Sequence, residues 1–205
     1  MWTSGRGGSD WHRRMSPPEN EFPAGVGFTA LLGRTDDVAV GITQVEAFST
    51  GFRFTMSVRV RQSRPDVAGG RLHMMVSGRG HPAIEVPLED RLLLGLQYAN
   101  GERTSTLERD PTSLLLMPHG GGGSDRSHDQ TYWVSPLPPD GPVTFVVSWP
   151  SFGIPESRAE ADGAAIRAAG ARSQWLWEWE PEAETEPPPP PRRPDAGWFA
   201  EPNPS

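Results

Sequence analysis

From residue 52 to 61 apolar and polar side chains alternate without a break. Phe52, Phe54, Met56, Val58 and Val60 fall on one side of an extended chain, and Arg53, Thr55, Ser57, Arg59 and Arg61 on the other. A repeat of two is the period of a β-strand, and one wholly apolar side means one buried face and one wet face. Strands buried on both faces, as in parallel sheets, read as continuous apolar runs, so antiparallel sheets are predicted. The same logic marks strands at 26–32 and 38–48, joined through the turn at 34–37, with Ser49-Thr-Gly51 turning the chain into 52–61 as the third strand of a meander. Strands at 91–98 and 102–107 flank Asn100-Gly101, a hairpin dipeptide whose residues both tolerate positive φ. With 114–117, 131–135 and 143–149 this makes about eight short strands, the spacing of an all-β antiparallel β-sandwich. Asp162 is placed to cap one short C-terminal helix over 163–172, an Ala-rich surface helix with Ile166 as its only large apolar residue.

The ends are of different composition. Residues 1–20 have no apolar period, and 178–205 carry seven acids against Arg192 and Arg193, with prolines throughout 187–191. Such segments cannot bury enough apolar surface to offset chain entropy. The expected organisation is a disordered extension over 1–20, one sandwich domain over 21–179, and a disordered acidic, proline-rich tail over 180–205. Met15 is a second candidate start, which the intact mass of the native protein would decide. With no secretory leader pattern and no long apolar run, a soluble cytoplasmic protein without a membrane span is expected.

Composition excludes several chemistries. The chain has no cysteine, which rules out thiol nucleophiles, thiolate zinc sites and disulfides. All 19 basic residues are Arg, and without a lysine ε-amine there is neither Schiff-base chemistry nor a phosphate-loop lysine. The body between the two ends has a formal charge near −3 within the chain total of −7, which argues against a nucleic-acid partner.

The most reactive-looking stretch is 119–129, where His119, four glycines, Asp125, His128 and Asp129 follow one another. Imidazole and carboxylate can ligate a divalent ion that activates water, so a metal-assisted hydrolase using His119, Asp125, His128 and Asp129 is one reading. Ordering four glycines costs about 1–2 kcal/mol each, so a mobile loop between strands is the first expectation. His73 and His81 have no base partner nearby in sequence and are expected as structural histidines in or beside a strand. Trp175, Trp177 and Trp179 share one face of an extended chain. They form either a closing strand over the core or an exposed strip for a protein partner. The tail's Pro187 to Arg192 fits a PxxPxR pattern, which a proline-rich spacer also produces by chance.

Residues 35–41 (Thr-Asp-Asp-Val-Ala-Val-Gly), 49–55 (Ser-Thr-Gly-Phe-Arg-Phe-Thr), the Pro118-His-Gly-Gly-Gly-Gly segment and 149–156 (Trp-Pro-Ser-Phe-Gly-Ile-Pro-Glu) resemble a family of short actinobacterial β-rich proteins with no assigned activity. The likeness covers about 24–180; it implies a β-rich fold and carries no catalytic residues. The leading expectation is a non-enzymatic binding or accessory module that acts through protein contacts at Trp175, Trp177 and Trp179, with no cofactor. The metal-assisted hydrolase is one alternative; a small-ligand carrier with Phe52, Phe54 and Met56 lining a pocket between sheets is the other.

Overall fold

The computed structural model describes residues 14–62, 71–77, 86–108 and 113–178. The strand predicted from the alternation is β5 (Phe52–Val60), and it sits at the middle of the largest sheet. On one side it pairs with β4 (Val38–Ala47), which also holds β2 (Ala24–Val26) and β3 (Ala30–Arg34); on the other it pairs with β9 (Ser127–Ser135), followed by β8 (Leu115–Ser124). A second sheet runs β11 (Ile154–Asp162), β10 (Pro142–Trp149), β6 (Leu93–Tyr98), β7 (Arg103–Ser105). A two-stranded ribbon joins β1 (Glu21–Phe22) to β12 (Gln174–Trp175). Every one of these pairings is antiparallel.

The apolar face of β5 is fully buried and belongs to one core cluster that also takes in Leu94, Leu96, Phe145 and Val147 of the second sheet. Phe54 meets Phe145 edge to face, with ring centres 5.0 Å apart, so the two sheets touch directly. Burying side chains of this size stabilises the fold by about 1.5–3 kcal/mol each. Three buried aromatics use their polar atoms to fasten connecting segments to the sheets. Trp133 Nε1 donates to the Arg14 carbonyl, Trp149 Nε1 to that of Asp90, and the Tyr98 hydroxyl to that of Pro136. Burial also pushes the Tyr98 phenol far above its ordinary range, so it stays a donor.

Several expectations change. The extension expected over 1–20 is described from residue 14, and there it is bonded to the body: Arg14 gives its carbonyl to Trp133, and Asn20 is buried. The predicted 26–32 strand divides into β2 and β3. The Asn100-Gly101 hairpin is present, but only Gly101 has positive φ, at 88°, and the Tyr98 and Glu102 backbones close a three-residue loop. Residues 71–77 form a helix, α1 (Arg71–Ser77), with Leu72, Met75 and Val76 buried at helical spacing, so His73 lies on a helix. The strand β11 went unpredicted because it is an edge carrying Glu156, Arg158 and Glu160, and charged edge strands lack a clean alternation. The helix α2 (Gly163–Gly170) begins where expected, with Asp162 Oδ1 accepting from the Ala164 amide at 2.9 Å; Ile166 and Ala169 are fully buried, so the helix caps the core instead of riding on the surface. His81, Trp179 and the tail over 180–205 lie outside the described residues.

The largest difference is the glycine run. It is not a loop but the outer half of β8, hydrogen-bonded in register to β9. Backbone pairing needs no side chains, and here two positions forbid them. A Cβ on Gly121 would stand 2.6 Å from Gln130 Oε1 and 2.9 Å from the Asp129 carbonyl oxygen, and one on Gly123 would run into the Ser127 carbonyl; Gly120 and Gly122 face open space. Gly123→Ala is therefore expected to destabilise by about 1–3 kcal/mol, whereas Gly122→Ala is expected to be neutral or slightly stabilising, as urea unfolding of the two variants would measure.

Candidate functional site

Two strands of the large sheet carry a bulge. In β4, Thr43 is the extra residue between the pairs Ile42–Met56 and Gln44–Thr55; in β8, His119 is the extra residue between Pro118–Tyr132 and Gly120–Thr131. An added residue reverses the alternation, so apolar residues keep facing the core: Val38, Val40 and Ile42 before the bulge, Val45 and Ala47 after it. On the outer face, between the two bulges, lies a cavity of about 310 Å³ lined chiefly by Gln44, Glu46, Arg53, Thr55, His119 and Thr131. Arg53 is held from behind: its Nε donates to Glu46 Oε2 at 2.5 Å, and its guanidinium carbon stands 5.3 Å from the centre of the Phe48 ring. Its terminal amino groups make no hydrogen bond among the described residues. The groove thus offers a preset planar donor fork suited to a small oxyanion. Among the described residues His119 hydrogen-bonds to no acid or hydroxyl, so it is not coupled there as a nucleophile's base.

The four residues of the proposed metal cluster do not converge. Alternation along β9 sends His128 into the core and Asp129 to the outer face. Asp129 there takes both amino groups of Arg59, at 2.8 and 3.1 Å. That guanidinium, with Ser57 helping, holds the Asp129 carboxyl below the usual carboxylate range against the opposing effect of burial. Asp125 sits in the turn between β8 and β9, and His119 projects from the bulge on the exposed side. Among the described residues no group of three or more His, Asp or Glu side chains is placed to hold a metal ion together. Phe52, Phe54 and Met56, which the carrier alternative would place around a pocket between the sheets, are packed core residues.

His128 itself is unusual. It is 1% exposed, and its Nε2 has no hydrogen-bond partner among the described residues. The His73 ring, from α1, is its neighbour, with centres 5.0 Å apart and planes tilted by 58°. Burial holds the His128 imidazole below its ordinary pKa; His73 adds to this, while Gln130 and Asp129 oppose it. The pair joins positions 55 apart in sequence, and the signal for it was the 72/75/76 apolar spacing, which marks 71–77 as a helix able to lie over a sheet.

The ribbon of β1 and β12 has a different character. Glu21 is buried and its carboxylate accepts from the Ser49 amide at 2.6 Å and the Ser49 hydroxyl at 2.7 Å. Asn20 donates from Nδ2 to the Trp177 carbonyl and accepts from the Leu176 amide. These polar anchors hold the strand while its indoles stay in water: Trp175 is 60% and Trp177 63% exposed, as is Phe22 at 60%. These two tryptophans do not close the core.

No protein-family model, curated protein or solved structure matches the chain. The placement of the histidines is checked by carbethoxylation at neutral pH with peptide mass readout. His119, exposed on the bulge, is expected to react readily, and buried His128 to be protected until the protein unfolds; equal rates in the folded protein would contradict the separation.

Proposed function

We propose that the protein is a non-enzymatic binding module in which the two main sheets are the layers of a β-sandwich and the β1–β12 ribbon is the contact surface for a protein partner. The observation that carries this reading is the exposure of Trp175, on β12, and of Trp177 just after it, on a segment fixed by buried polar anchors. Indoles kept in water by a rigid backbone are prearranged for burial against something else, and tryptophans at the centre of an interface commonly contribute 2 kcal/mol or more, by the usual order of magnitude for hot spots. The residues from 178 onward hold seven acids against two arginines. The partner that suits this surface has an apolar groove with a basic rim. The separation of the metal-cluster residues and the uncoupled His119 give the hydrolase reading less support. Among the described residues no helix is long and apolar enough to cross a membrane. Action in the cytoplasm, without nucleic acid, is part of the same proposal. The resemblance to short actinobacterial proteins adds no activity, so the reading rests on this surface.

Trp175→Ala/Trp177→Ala is expected to keep the circular dichroism and melting behaviour of the parent, because neither indole supports the core. Used as baits beside the parent in native lysate, the double variant should lose at least about tenfold of a captured partner, matching roughly 1.4 kcal/mol. Capture by the parent should also fall in high salt. Equal capture by both baits, or none above a blank by the parent, would overturn the reading.

A further inference from the structure

From the placement of His73 and His128 we infer a divalent-metal site of the imidazole-binding class (zinc, nickel or copper) between α1 and β9. The inference is independent of the ribbon and of the 119–129 cluster, since it takes one histidine of that cluster and pairs it with another from a helix.

The first observation is the bare nitrogen. His128 is buried, and its Nε2 has no hydrogen-bond partner among the described residues. The buried Gln130 nearby spends its amide nitrogen on the carbonyls of Gly120, at 2.6 Å, and Thr131, at 3.1 Å, and donates no hydrogen bond to the ring. A neutral imidazole has one ring nitrogen free to ligate a metal, and burial favours the neutral form. An ion would satisfy a ring nitrogen that is otherwise buried and unmet.

The second observation is the spacing. Two imidazoles on one tetrahedral ion, each with its nitrogen about 2.1 Å from the metal, have ring centres about 5 Å apart; His73 and His128 stand at 5.0 Å. His73 is on the exposed side of α1, so an ion bound there keeps contact with solvent and can complete its shell with water. With no thiolate in the chain and only nitrogen ligands here, the site favours imidazole-loving ions over calcium or magnesium. Because α1 packs against β8 and β9, the ion would clip the helix to the glycine-bearing hairpin.

The test uses the full chain, stripped with chelator, dialysed and titrated with zinc chloride against a chromophoric competitor, with melting temperature followed in parallel. One zinc per chain and a rise in melting temperature are expected, since a ligand that binds only the folded state stabilises it. His73→Ala, which removes an exposed ring, should weaken zinc at least about tenfold, as loss of a ligand or its support does, and abolish the thermal shift. His119→Ala should change neither. Nitrogen NMR gives a reading that needs no variant: the His128 Nε2 resonance should move on adding zinc. Failure of the parent to bind zinc, undiminished binding by His73→Ala, or loss in His119→Ala alone would each overturn the site. Binding of zinc would leave the ribbon reading untouched, and loss of partner capture would leave the metal site untouched.

Discussion

Everything else in the molecule is arranged around the inward face of β5. Phe52, Phe54, Met56, Val58 and Val60 are all buried, and the strand is hydrogen-bonded on both edges, to β4 and to β9. Phe54 crosses to Phe145, which in turn stacks with Phe28 at 5.9 Å, so one side chain links the large sheet, the second sheet and the segment between β2 and β3. A slip of one residue in this strand would turn five apolar side chains outward and bring three arginines and two hydroxyls toward the core, so its register is strongly determined. The neighbouring strands inherit that register, and the bulges at Thr43 and His119 are the adjustments that let β4 and β8 follow β5 and β9 with their own apolar residues still inward.

Those adjustments also shape the outer face. A bulge reverses which side chains point outward, and it does so on both flanks of the β5–β9 pair. Between the bulges the sheet presents Arg53, Glu46, Thr55 and His119 around one groove, while further along it presents the Arg59–Asp129 pair and the Thr43–Ser57 hydroxyl contact at 2.8 Å. Exposed ion pairs of this kind contribute only about 0–1 kcal/mol each. Their effect is on arrangement: Glu46 and Phe48 hold Arg53 in place, and among the described residues its outer amino groups make no hydrogen bond.

How much of this could be read beforehand follows from where the physical signal lies. Strand β5 was legible because one face is wet and the other dry, and β4, β6, β9 and β10 were legible in part for the same reason. The helix cap at Asp162 was legible because a short carboxylate before an Ala-rich segment has one obvious use. The outer half of β8 was not, since alternation is a property of side chains and Gly120 to Gly123 have none; its evidence is the tight fit of Gly121 and Gly123 against β9, which exists only after pairing. Strand β11 was hidden by charges suited to an edge. The tryptophan row was legible as a row, but its burial turned on Asn20 and Glu21, two polar residues more than 150 positions away that anchor the strand from beneath.

The histidines show why proximity in sequence misled. Residues 128 and 129 are neighbours, yet in a strand neighbours occupy opposite faces, so the chemistry that His128 and Asp129 suggest together is the chemistry that β9 forbids. Extended pairing does the same to His119, which the bulge places outside while His128 goes in. The partner that His128 does find is on a helix, α1, which packs against β8 and β9 while its Leu72, Met75 and Val76 join the same core. The glycine run, expected as a mobile loop, is instead a paired strand, and the tight fit of Gly121 and Gly123 against β9 fixes the hairpin in which alternation buries His128.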